Sequence, residues 1–160
     1  MTYQPQPGDY GLVKTKGAIG FLIQLAELTQ FNHVVIYLGD GLIAEAKPRG
    51  GVQISHVEDY QNIAWNQHEA KTPEQRVRLV VEARARLGEK YSFIDFTAIL
   101  YCKLGLRVPN WLTNYLKNSL HTICSQYGVR VYRASGFTIE SKREDFLIEP
   151  SDLAYRLLYF

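Results

Sequence analysis

Only two cysteines, Cys102 and Cys124, occur in this chain of 160 residues. One disulfide is the most they allow, which excludes the stapled scaffolds of small secreted proteins. Long apolar runs are missing too: no stretch of about 18 consecutive apolar residues is present, so no membrane-spanning helix is expected. Neither sign of charge is in excess. The 18 Lys and Arg oppose 16 Asp and Glu, a formal net charge of +2, and Lys142-Arg143-Glu144-Asp145 cancels itself. No affinity for nucleic acid or for an anionic membrane follows from so small a balance. Met1-Thr2-Tyr3-Gln4-Pro5 has no basic or apolar leader region, so no signal peptide is expected and both thiols should be reduced. Phosphate loops, dinucleotide fingerprints and H-E-x-x-H are all lacking. His56, His68 and His121 have no partner at metal-ligand spacing except the isolated pair His121-x-x-Cys124, so neither a metal nor an organic cofactor is expected. No repeat, linker or low-complexity tract breaks the chain.

What is present reads as one soluble globular domain over residues 1–160, with 46% apolar and 21% charged residues. After the turn Pro7-Gly8-Asp9, a short strand Tyr10–Lys14 is expected, then a short helix from Ala18 to Leu28 with Ile19, Leu22, Ile23 and Ala26 at helical spacing. Strands Asn32–Leu38 and Leu42–Lys47 flank a Gly39-Asp40-Gly41 tip suited to positive φ. Val52–Val57 alternates as a third strand of this group, and Asp59–Trp65 offers a fourth. Thr72-Pro73-Glu74-Gln75 combines an N-cap, a proline at the first helical position and a capping-box glutamine, for a helix to Leu87. Further helices are expected over Ser92–Leu104, Pro109–Leu120, Cys124 to about Ser135, and Ser151–Leu158. Strands first and helices behind give an α+β class, a small antiparallel sheet packed against helices.

Two distant stretches carry chemistry. In the hairpin, pairing Leu38 with Leu42 sets Val35 opposite Glu45. Alternation then puts His33, Val35 and Glu45 on one face, with Glu45 the diagonal neighbour of His33. A carboxylate there accepts the imidazole N–H and fixes its tautomer. Cys124 opens a helix, where unpaired N–H groups and the helix dipole favour thiolate over thiol and offer donors to an oxyanion. Gly128, four residues on, permits close approach of the hairpin. Cys124, His33 and Glu45 are therefore the candidate catalytic residues. Each alone also has an ordinary reading: a packed helix thiol, a hydrogen-bonded histidine, a strand-edge charge. Cys102 reads as a small buried hydrophobe.

The motifs Pro7-Gly8-Asp9, His33-Val34-Val35-Ile36-Tyr37-Leu38-Gly39-Asp40-Gly41, Ile43-Ala44-Glu45-Ala46, Gly51-Val52, Leu87-Gly88-x-x-Tyr91, Ile123-Cys124-Ser125 and Ile148-Glu149-Pro150-Ser151-Asp152-Leu153, in this order, resemble the NlpC/P60 superfamily of papain-like cysteine peptidases and amidases. With the histidine strand ahead of the cysteine helix, the order resembles the circularly permuted branch that includes YiiX-like proteins and lecithin–retinol acyltransferases. The resemblance implies a permuted papain-like fold, Cys124 as nucleophile, His33 as general base and acid, and Glu45 as the residue orienting the imidazole. Peptidoglycan enzymes of the superfamily usually have Asp-Cys-Ser where this chain has Ile123-Cys124-Ser125. The acyltransferases have Asn-Cys-Glu-His where it has Ile123-Cys124-Ser125-Gln126. Three functions are expected in this order: a hydrolase cleaving amide bonds in cell-wall peptides or related small amides; a thioesterase, lipase or acyltransferase, with Trp111-Leu112 and Tyr115-Leu116 lining an acyl groove; and a non-enzymatic module of a phage particle or envelope assembly. Partners are then a peptide, amide or acyl substrate, and the location cytoplasmic or phage-delivered.

Overall fold

The computed structural model describes residues 3–15, 31–67, 69–92, 94, 105–107, 109–118, 122–138 and 153–154. These form an α+β structure: strands β1 (Tyr10–Val13), β2 (His33–Gly39), β3 (Leu42–Lys47), β4 (Gly51–His56) and β5 (Ala64–Trp65), then helices α1 (Pro73–Ala85), α2 (Asn110–Asn118) and α3 (Cys124–Ala134). The expected helices over 18–28 and in the tail lie outside the described residues, apart from the helical Leu153-Ala154, and so does most of that over 92–104.

The sheet is antiparallel, in the order β4-β3-β2-β1-β5. Its β2–β3 register pairs Val35 with Glu45, Ile36 with Ala44 and Tyr37 with Ile43. At the tip Leu42 pairs with Gly39, not with Leu38, because the register shifts there. Gly39, Asp40 and Gly41 all adopt positive φ, the backbone that a tight hairpin turn requires.

Strand alternation divides the apolar residues between two faces. Leu12, Val34, Ile36, Ala44, Ala46 and Val52 meet Leu79 and Ala83 of α1 and Tyr127, Val131 and Tyr132 of α3 in the main core. Burying a side chain such as Leu12 or Leu79 stabilises the fold by about 2 kcal/mol. Helix α1 starts as its sequence predicts: Thr72 Oγ1 accepts from the Gln75 N–H and Gln75 Oε1 accepts from the Thr72 N–H.

The opposite face carries Val13, Val35 and Ile43, covered by Val57, Tyr60, Ile63 and Trp65. Here the expectation of a strand over Asp59–Trp65 is corrected. Val57–Asp59 is a 3-10 turn, and only Ala64–Trp65 joins the sheet, at the edge beyond β1. The chain must travel from β4 at one edge to β5 at the other, so this segment lies across the sheet and cannot pair along it. Gly11 allows the close approach: a Cβ there would stand 2.4 Å from Ile63 Cγ2.

Candidate active site

His33 is the first residue of β2, paired with Val13 at the end of β1. The preceding Asn32 ties down this strand start, accepting from the Thr15 N–H at 2.7 Å and giving its own N–H to the Val13 carbonyl. On β3, Glu45 is fully buried on the same sheet face, and its Oε2 lies 2.6 Å from His33 Nε2. The diagonal contact expected from the hairpin register is thus present.

Cys124 is positioned from a different direction. The segment 88–92 pairs on one side with β4, where the Val52 N–H donates to Glu89 and the Gly88 N–H to Val52. On its other side Tyr91 forms a parallel bridge with Thr122. Two residues later the chain turns into α3, with Cys124 at its first position and the Gln126 side chain reaching back to the Ile123 N–H at 3.4 Å. Gly128 brings that helix down onto β2: an added Cβ would sit 3.2 Å from Val34 Cγ1. Cys124, only 4% exposed, lies close enough to His33 to act on its imidazole. Cys124, His33 and Glu45 therefore come together.

Electrostatics follow the geometry. Burial works against a charged His33, but the charge and hydrogen bond of Cys124, then those of Glu45, raise the imidazolium to about 9. Burial likewise opposes ionisation of Glu45, yet the hydrogen bond and charge of His33, aided by Lys47 and Ser55, hold its carboxyl down at about 2. An opposite charge within a few Å is the usual cause of such shifts.

Two further side chains belong to this cluster and were not singled out from sequence. The Tyr60 hydroxyl, delivered by the crossing segment, donates to Glu45 Oε2, and its ring centroid lies 6.0 Å from that of His33. Lys47 Nζ pairs with Glu45 Oε1 at 2.8 Å and also donates to Ser55 Oγ at 3.3 Å. Lys47 was accessible from alternation, since it follows Glu45 by two on one strand. Tyr60 had no such signal, because its segment has no periodicity.

The remaining candidates separate. Trp111 is 71% exposed while the adjacent Leu112 is buried, so these two do not line one groove. The side chains of Tyr115 and Leu116, together with Cys102, His68 and His121, lie outside the described residues. No helix among the described residues is long and apolar enough to cross a membrane.

No family model matches the chain, and no curated protein does. Among solved structures it is similar to the crystal structure of the metalloprotein YiiX from Escherichia coli O157:H7, a DUF1105 protein, at 19% identity and a TM-score of 0.63. The match covers 96% of this chain and 81% of that one, so what the two share is a fold spanning nearly all of this sequence.

Proposed function

We propose that this chain is a cysteine-dependent amidase or peptidase with a permuted papain-like fold of the NlpC/P60 type, formed by residues 1–160 as one domain. The observation that carries the reading is the buried cluster of Cys124, His33 and Glu45, in which His33 Nε2 and Glu45 Oε2 stand 2.6 Å apart and Cys124 lies near the same imidazole. Nucleophile, base and orienting carboxylate are the three parts that acyl transfer by a thiol requires. The motif order of the sequence and the fold shared with YiiX support the same assignment.

In this reading His33 takes the proton of Cys124, and Sγ attacks the substrate carbonyl. The Cys124 N–H, at the positive end of α3, faces the developing oxyanion. His33 gives its proton to the leaving nitrogen as the C–N bond breaks. It then activates a water molecule, whose attack frees the acyl group and restores the thiol. Cell-wall peptides and related small amides are the substrate class.

YiiX is a metalloprotein, which raises the question of a metal here. The donor set among the described residues does not fit one. Among the described residues no three His, Cys, Asp or Glu side chains converge as metal ligands. Glu45 Oε1 also faces the Lys47 ammonium at 2.8 Å, which repels a cation. No step above passes through a metal.

The test compares the chain with its Cys124→Ala variant on muropeptides and on acyl esters and thioesters. Amine release by the native chain, abolished in Cys124→Ala while cooperative unfolding is kept, is the expected result. Turnover that survives Cys124→Ala contradicts the proposal, and action on acyl esters alone moves the chain to the lipase and acyltransferase class.

A further inference from the structure

Glu45 has more partners than an orienting carboxylate needs. His33 meets Oε2 at 2.6 Å, while Oε1 accepts no hydrogen bond among the described residues and faces the Lys47 ammonium at 2.8 Å as an ion pair only. Yet the Tyr60 hydroxyl adds a second donor to Oε2, the oxygen His33 already uses. The same tyrosine is held in place by its neighbours: the Lys47 ammonium stands 5.5 Å above its ring, and its N–H donates to the Val57 carbonyl at 3.1 Å. A donor placed on that oxygen competes with the imidazolium for the same negative charge.

We propose that Tyr60 and Lys47 are positioning residues that act on His33 through Glu45, taking up part of its carboxylate charge so that His33 can release the proton it takes from Cys124. The inference rests on the reaction proposed above. There the Cys124 S–H bond breaks with the proton passing to His33, and the same proton forms the new N–H bond as the substrate C–N bond opens. The second transfer loses driving force as the imidazolium becomes a weaker acid. The groups facing His33 are Cys124 from α3, Glu45 from β3 and Tyr60 from the crossing segment. Lys47 stands behind Glu45, and Asp59 acts on Tyr60. Cys124 and Glu45 flank the imidazole, and Tyr60 and Lys47 moderate the carboxylate, which stays charged throughout the cycle.

The experiment follows the His33 ring by nitrogen–proton NMR across pH in the full chain carrying Cys124→Ala, with and without Tyr60→Phe. With the thiol gone, Glu45 is the anion left at the ring, and phenylalanine keeps the tyrosine ring while removing its hydroxyl. The His33 midpoint should rise by roughly half a pH unit to one, the worth of one hydrogen bond to the carboxylate. Lys47→Met, at a side chain already 32% exposed, should move it the same way and serves if Tyr60→Phe fails to fold. A midpoint that stays or falls in the folded variant overturns the proposal. No substrate enters this measurement, so a native chain that never turns over would count against the reaction and leave the coupling to be judged by the titration alone.

Discussion

His33 Nε2 lies 2.6 Å from Glu45 Oε2 although the two residues belong to different strands. The contact follows from one register: Val35 stands opposite Glu45, so a residue two positions before Val35 is the diagonal partner of the carboxylate. Burial of both side chains keeps water from weakening the interaction, and Glu45 stays ionised because His33 and the Tyr60 hydroxyl bond it and the Lys47 ammonium stands beside it.

Replacing Glu45 by Gln keeps the shape of this contact and removes its charge. The His33 midpoint, which Cys124 and Glu45 raise in the native chain against the cost of burial, should then fall by roughly one to three pH units, the usual effect of one nearby opposite charge. Titration of the His33 ring by NMR measures it. An unchanged midpoint would mean that the carboxylate exerts no electrostatic control over the imidazole.

A second charged cluster governs acid stability. Asp9 is buried, which works against its charge, but the Tyr3 hydroxyl, the Gln6 N–H, Arg76 and Lys71 outweigh burial and hold its carboxyl below the ordinary aspartate range. A group depressed in the folded state stabilises fully above its unfolded pKa, about 3.9, and loses that contribution as pH falls through the folded value. Glu45, at about 2, acts in the same direction. Stability to urea should therefore decline from about pH 5 towards pH 2. Asp9→Asn should cost roughly 3 kcal/mol at pH 7, by taking the carboxylate from Arg76 and leaving the buried Lys71 with Glu69 alone, and should make the acid decline shallower. An equally steep decline in the variant would show that Asp9 is not its source.

Much of this arrangement was legible in the sequence, for reasons that also mark where legibility ended. Strands β2 and β3 declare themselves by composition and by a tip that needs positive φ, and α1 and α3 by their starts. Alternation then placed His33 and Glu45 on one face without any knowledge of the tertiary fold. The pairing at the tip was misplaced by one residue, since a register shift between Tyr37 and Gly39 depends on how the turn closes and not on hydrophobic pattern. Tyr60 was hidden for a deeper reason. It reaches Glu45 because β5 lies beyond β1, a matter of strand order that forces its segment across the sheet. The meeting of Cys124 with His33 depends likewise on the bridge between Tyr91 and Thr122, a contact that no local pattern predicts.

The central claim is that Cys124 and His33 form one activated pair, and the pH dependence of iodoacetamide alkylation at Cys124 tests it most directly. The native chain should alkylate at a rate that is already on a plateau well below pH 7, and His33→Ala should lose that plateau. A native rate that climbs only as an ordinary thiol ionises, near about pH 8.5, and is unchanged by His33→Ala would contradict the account.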